Sequence, residues 1–184
     1  MIKIFTTTAP DFSVFFLTAQ NLLAAVNIYQ DPTLFTGFGY PPFTAILFLP
    51  FTFLPFQIAQ GIWTISSVVA LLASLCLCLR LFDIQRNWIK FVAISILTFL
   101  AFPTRFTLGM GQVNLVALFL FVVTMYFVSI KKDTFGGLFL GLLVMLKPHF
   151  ILFLPMLVLK KKWKLLGVNF AVVSLAAVAT GFLF

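Results

Sequence analysis

Apolar runs separated by short polar or basic breaks organise this chain. Residues 11–26 put Phe12, Phe15, Phe16, Ala19, Leu22, Leu23 and Val26 on one helical face, with Ser13, Thr18, Gln20 and Asn21 around the other side. The pattern predicts an interfacial helix rather than a span, with Asp11 placed as its N-cap. Residues 27–42, from Asn27-Ile28-Tyr29 through Gly37, Gly39 and Tyr40-Pro41-Pro42, have loop composition. Residues 43–54 are apolar but too short to cross, and Pro50 and Pro55 punctuate them, so a re-entrant or surface-lying piece is expected. Full spans are predicted at about 57–81, 88–102 and 113–130, with a last one over 165–184. Between the second and third, Pro103-Thr104-Arg105-Phe106-Thr107 and the turn Gly109-Met110-Gly111-Gln112 read as an outer loop.

The stretch between Lys131-Lys132 and Lys160-Lys161-Lys162 sets a topological constraint. Both clusters have the composition of cytoplasmic loops, so an even number of crossings should separate them. Only about 25 apolar residues lie between, and Lys147-Pro148-His149 interrupts them. Each arm supplies about 17 Å of helix against a hydrocarbon core about 30 Å thick. A broken hairpin over 135–159, turning inside the membrane with Lys147 near its tip, satisfies both facts. One long span with one basic loop misassigned is the alternative.

Composition fixes the class. The chain is 62% hydrophobic and 9% charged, with a mean hydropathy of +1.18, which excludes a soluble domain. Lipid offers no partner for backbone N–H and C=O groups, and the alternating strands of a barrel are absent, so the runs must be helices. The fold class is all-α polytopic membrane protein. The net charge of +8 does not point to nucleic acid, because Lys and Arg fall in short loops as the positive-inside rule expects. Cys76 and Cys78 lie inside a predicted span as small apolar fillers, with no His or Asp nearby to complete a metal site. Met1 to Pro10 lacks the apolar core of a signal peptide, and Phe184 ends inside an apolar run, so a truncated chain is expected.

Carboxylates are scarce: Asp11, Asp31, Asp83 and Asp133, with no Glu. Asp83 and Asp133 sit among basic residues, which leaves Asp11 and Asp31 for the opposite side of the membrane. Asp11 serves either as a helix cap or as a general base at the membrane surface. Lys147, inside an apolar run, either snorkels toward an interface or holds an anion such as a lipid phosphate. His149 is either a second donor beside it or a histidine bonded to backbone. Gly111-Gln112-Val113-Asn114 offers ordinary turn and capping chemistry, or two amides for a polyol. Arg105 could meet a phosphate or lipid headgroups. Tyr40-Pro41-Pro42 pins the backbone where the loop re-enters the membrane, and Trp163 with the surrounding lysines reads as an interface anchor.

Asp11-Phe12 with its amphipathic helix, Asn27-Ile28-Tyr29, Tyr40-Pro41-Pro42, Gly111-Gln112-Val113-Asn114 and Leu146-Lys147-Pro148, in that order, resemble glycosyltransferase family 87. These are polyprenol-phosphate-mannose-dependent mannosyltransferases of the C-type membrane superfamily. The resemblance implies a C-type helical bundle, here incomplete, and inverting transfer of a hexose, mannose first, on the outer face of a bacterial plasma membrane. It implies a lipid-linked sugar donor, a glycan or glycolipid acceptor, and Asp11 as the base that activates the acceptor hydroxyl. Lys147 or Arg105 is then expected at the departing phosphate, with Gln112, Asn114, His149 and Tyr40 as further substrate contacts. No resident cofactor is expected, and the two outer carboxylates leave metal dependence open. The family carries a span before the Asp loop and more spans beyond, neither of which these residues supply. A transporter or flippase for an anionic lipid-linked substrate is the alternative function, and a structural subunit packing on partner helices a third. A transporter should show repeated halves, and none is visible.

Overall fold

The computed structural model describes residues 9–29, 37–84 and 88–181. Asp31 and Arg86 lie outside them. Among the described residues every regular element is helical, and no strand occurs.

The first helix, α1, runs Pro10–Leu23. Proline takes the first helical position, where its missing N–H costs nothing, and Ala9 before it is extended. Asp11 is therefore not the N-cap expected from the sequence. It sits in the first turn, inside the helix, where its charge suits the helix dipole. Phe12, Phe15, Phe16 and Ala19 are buried on the expected face. Thr18, assigned to the polar side, is fully buried as well, while Leu23 and Val26 of the apolar stripe are exposed. The buried face is broader and shorter than the stripe because α2 (Pro42–Phe48) packs onto α1.

Pro50 tightens the end of α2 into a 3-10 turn, Leu49–Phe53, before extended Leu54. Together these give about 20 Å of helix, well short of a bilayer core. The long helix α3, Phe56–Leu81, covers about 39 Å and is apolar enough to cross. Its buried face is the more polar one: Gln60, Thr64, Ser67 and Ser74 point inward with Ala59, Trp63 and Leu71. Ile58, Ile62, Ile65 and Val69 are exposed, the arrangement a helix needs when its surroundings are lipid.

Helix α4 (Trp88–Leu100) bends by 65° into α5 (Phe102–Met110). Pro103 to Thr107, expected as loop, is thus helical. Pro103 falls in the first turn, where it starts a helix instead of ending one, and Gly109 and Met110, expected in the turn, continue the helix up to Gly111. Gly111 ends α5 with φ +70°, a left-handed C-terminal residue. Helix α6 runs Asn114–Ser129 and α7 runs Asp133–Leu146.

Helix α7 stops at Lys147 because Pro148 follows and forces extended backbone there, at φ −140° and ψ 94°. A 3-10 segment, Pro148–Phe153, and the short α8, Leu154–Leu159, carry the chain back. The two ends of this broken segment meet: Lys162 Nζ lies 3.0 Å from Asp133 Oδ1. The chain over 133–162 therefore leaves from and returns to the same end of α7. Helix α9, Trp163–Gly181, runs parallel to α7 and against it, and it is the second helix long and apolar enough to span. Cβ atoms placed at Gly137 and Gly141 would come within 2.5 Å of the Leu165 carbonyl oxygen and 2.7 Å of Val172, so small residues set that close approach.

Candidate functional site

Three stretches distant in sequence are brought together at the end of the bundle opposite the Lys131 and Lys162 turns. The starting point is an aromatic cluster. Phe12 packs on Phe16, Phe48, Phe51 and Phe56 with ring centroids 5.5–6.2 Å apart, and Trp63 lies 4.6 Å from Phe48. Such contacts hold α1 against α2 and α3 by burial.

Directional contacts then fix the start of α1. The Ala9 N–H donates to Gln60 Oε1 at 3.2 Å, and the Trp63 indole N–H donates to the Gly111 carbonyl at 2.9 Å; both bonds are buried. Gly111 presses on α1 so closely that a Cβ there would stand 2.7 Å from Phe12 Cβ. Asp11 is thereby set beside the Gly111-Gln112-Val113-Asn114 turn.

That turn carries a short polar relay. Asn114 Nδ2 donates to Gln112 Oε1 at 2.5 Å, and Lys147 Nζ donates to Asn114 Oδ1. The Asp11 charge acts on the Lys147 ammonium and on the Tyr40 phenol. Burial, then the Asp11 carboxylate, pushes the Tyr40 hydroxyl above its usual range, so it keeps its proton and remains a donor. The Tyr40 ring stacks edge-on against Phe15 at 5.0 Å, and its backbone carbonyl accepts from the Tyr29 hydroxyl at 3.1 Å.

Of the seven residues singled out in the sequence, five converge: Asp11, Tyr40, Gln112, Asn114 and Lys147. His149 is exposed and stacks on its neighbour Phe150 at 4.8 Å. Arg105 is half-buried on α5 and makes no side-chain bond to the described residues. Sequence reasoning missed Gln60 and Trp63, which look like ordinary members of an apolar span. Their one signal was the spacing of an amide and an indole, i and i+3, and Gln57 and Thr64 on the same two turns blur it.

A cation beside two amides suits an oxyanion such as phosphate, with hydroxyls of a sugar at the amides. A carboxylate within electrostatic reach can take a proton from one of those hydroxyls. Next to this group opens a cavity of about 840 Å³, lined by Leu22, Val26, Tyr29, Pro41, Met145 and Thr180 among others. Pro41 and Met145 stand one and two residues along the chain from Tyr40 and Lys147, and none of Asp11, Tyr40, Gln112, Asn114 and Lys147 lines it.

Comparison with known sequences by family profile covers Tyr40, Gln112, Asn114 and Lys147 but not Asp11. The sequence profile of Glycosyltransferase family 87 matches residues 38–184. A polyprenol-phosphate-mannose-dependent alpha-(1-2)-phosphatidylinositol pentamannoside mannosyltransferase of Mycolicibacterium smegmatis is 35% identical over 116 residues, 61% of this chain and 27% of that protein. An alpha-(1->3)-arabinofuranosyltransferase of Corynebacterium glutamicum is 26% identical over 159 residues, 83% of this chain and 37% of that protein. The chain thus spans between a quarter and two fifths of these curated relatives. No solved structure matches it significantly.

Proposed function

The chain belongs to glycosyltransferase family 87, and from that premise we propose that it carries the base and the phosphate-facing cation of a membrane glycosyltransferase. The reaction moves a hexose, mannose first, from a polyprenyl-phosphate donor to a glycan or glycolipid acceptor on the non-cytoplasmic face. The Mycolicibacterium relative's name supports mannose and the lipid-phosphate donor; the Corynebacterium relative's name makes arabinofuranose the second sugar to assay.

One observation carries the reading: Lys147 bonds Asn114, Asn114 bonds Gln112, and Gly111 of the same turn presses on Phe12, the residue after Asp11. Asp11 takes the acceptor hydroxyl proton as that oxygen bonds the anomeric carbon. The bond from that carbon to the phosphate oxygen breaks on the opposite side, so configuration inverts and the electron pair leaves with the lipid phosphate. The phosphate supplies its own leaving ability, and the Lys147 ammonium offsets the charge it gains. Gln112, Asn114 and the protonated Tyr40 hydroxyl orient the sugar. The cavity beside Met145 and Pro41 takes the bulk of a lipid-linked ligand.

The test uses the natural protein in sealed right-side-out vesicles, with polyprenyl-phosphate-mannose and a membrane-impermeant oligomannoside acceptor. Asp11→Asn should lower transfer by roughly 10²- to 10⁴-fold, the usual range for a lost general base, with donor binding retained. Undiminished transfer by Asp11→Asn would remove Asp11 from this role. Failure of the wild type to elongate the impermeant acceptor would place the site on the other face.

A further inference from the structure

We propose that Gln60 and Trp63 are positioning residues that set where Asp11 stands relative to Lys147, a role that rests on the reading of Asp11 as the base. The argument begins with what packing cannot do. Helix α1 is held by Phe12, Phe15 and Phe16 in an aromatic cluster, and such burial is non-directional. Rings can slide or tilt by an ångström with little loss of area. Reaction rates tolerate no such freedom, since a misplacement of about 1 Å can cost on the order of 10²-fold.

Register must come from directional contacts, and α1 has few. Its N-terminus has no side-chain cap, and its first residue is a proline without an N–H. What fixes it is one face of α3. Gln60 Oε1 accepts from the Ala9 N–H, and one turn further the Trp63 indole donates to the Gly111 carbonyl. Gln60 and Trp63 are buried, at 8% and 4% exposure, so neither bond competes with water. Gly111 closes the triangle by its steric contact with Phe12.

The consequence reaches both halves of the site. The Ala9 bond holds the chain two residues before Asp11. The Gly111 bond holds the chain three residues before Asn114, which accepts from Lys147. One rigid helix thus references the carboxylate and the ammonium to the same ruler. No group on α3 needs to touch substrate for this.

The test uses Gln60→Met, which keeps length and apolar bulk but loses the amide acceptor, and Trp63→Phe, which keeps a ring against Phe48 but loses the N–H. In the natural protein each should lower kcat by about 10- to 100-fold, with KM for donor and acceptor within about twofold. Gln60→Glu, which restores an acceptor oxygen, should recover part of the rate. In an Asp11→Asn background Gln60→Met should have little further effect, because the group it positions is already gone. Equal losses from Gln60→Met in both backgrounds, or losses confined to KM, would overturn the proposal.

A second readout needs no activity. With Cys76 and Cys78 replaced by Ala, cysteines at positions 11 and 147 should be joined rapidly by a short bismaleimide, and more slowly once Gln60→Met or Trp63→Phe is added. An unchanged cross-linking rate would overturn the positioning role even if Asp11 proves to be the base. Slower cross-linking together with full activity of Asp11→Asn would instead leave the clamp standing and remove the base.

Discussion

A lysine stands against each end of α7, and the two are treated in opposite ways. At the start, Lys162 meets the Asp133 carboxylate at 3.0 and 3.4 Å, with both side chains about a quarter exposed. At the finish, Lys147 donates to a neutral amide, Asn114, while Asp11 reaches it only through its field. Among the described residues the Lys162–Asp133 contact is the one ion pair. A matched cation ties a turn together. A cation left with a neutral partner at a break in a helix retains capacity for an anion brought by a ligand.

The largest effect expected from this contrast comes from removing the two charges in parallel. Lys147→Met should cut transfer by about 10²- to 10³-fold, the scale set by losing one donor to a developing oxyanion. Lys162→Met should leave the rate within about twofold of wild type, since it pairs with Asp133 at the end of α7 opposite Lys147. Initial rates at saturating donor, with thermal unfolding in detergent as the fold control, decide the matter. Similar losses from both would mean that Lys147, too, is only a structural cation.

Helix α7 offers the next contrast, between glycines that touch and a glycine that does not. A Cβ at Gly137 would meet the Leu165 carbonyl oxygen at 2.5 Å, whereas at Gly167 on α9 nothing lies within 4 Å. Gly137→Ala should force α7 and α9 apart and destabilise by about 1–3 kcal/mol, the usual cost of overpacking. Gly167→Ala should be neutral or stabilise by up to about 1 kcal/mol, because alanine is the better helix former. Unfolding midpoints of the two variants in the same detergent give the comparison directly. Because α7 ends at Lys147, a shift in α7 should also lower activity in Gly137→Ala, and activity should be untouched in Gly167→Ala.

Much of this was readable in the chain, and the limits have physical causes. The Phe12, Phe15, Phe16 and Ala19 periodicity announced the buried face of α1, and Lys147-Pro148 announced the break after α7, because proline acts locally. Asp11 was misjudged as a cap since Asp and Pro both suit a helix start, and only the backbone reveals that Pro10 holds the first position. Pro103 misled in the same way: proline starts helices as readily as it ends them, and the bend at Ala101 depends on neighbours far along the chain. Lys147, Asn114 and Gln112 were visible as candidates, but their meeting was not, since it follows from α6 and α7 packing antiparallel. Gln60 and Trp63 were invisible for the same reason. A hydrogen bond across about fifty residues leaves no local pattern.

The smallest expected effect sharpens the opening contrast most finely. If the Lys162–Asp133 pair is only a clasp between the first turn of α7 and the turn before α9, its worth is that of a partly solvated ion pair, about 0.2–1 kcal/mol. Asp133→Asn and Lys162→Met should each lower stability by no more than that amount, and the double variant should lose less than the sum. Since both side chains reach solvent, raising the salt from about 0.1 M to about 1 M shortens the screening length roughly threefold and should erase most of the coupling. Unfolding midpoints for the four proteins at the two salt concentrations measure it. A coupling well above about 2 kcal/mol, or one indifferent to salt, would place the pair in a dry setting. Lys147 and Lys162 would then differ less in burial than the present geometry implies, and the case for Lys147 as the anion site would have to rest on its lack of a carboxylate partner alone.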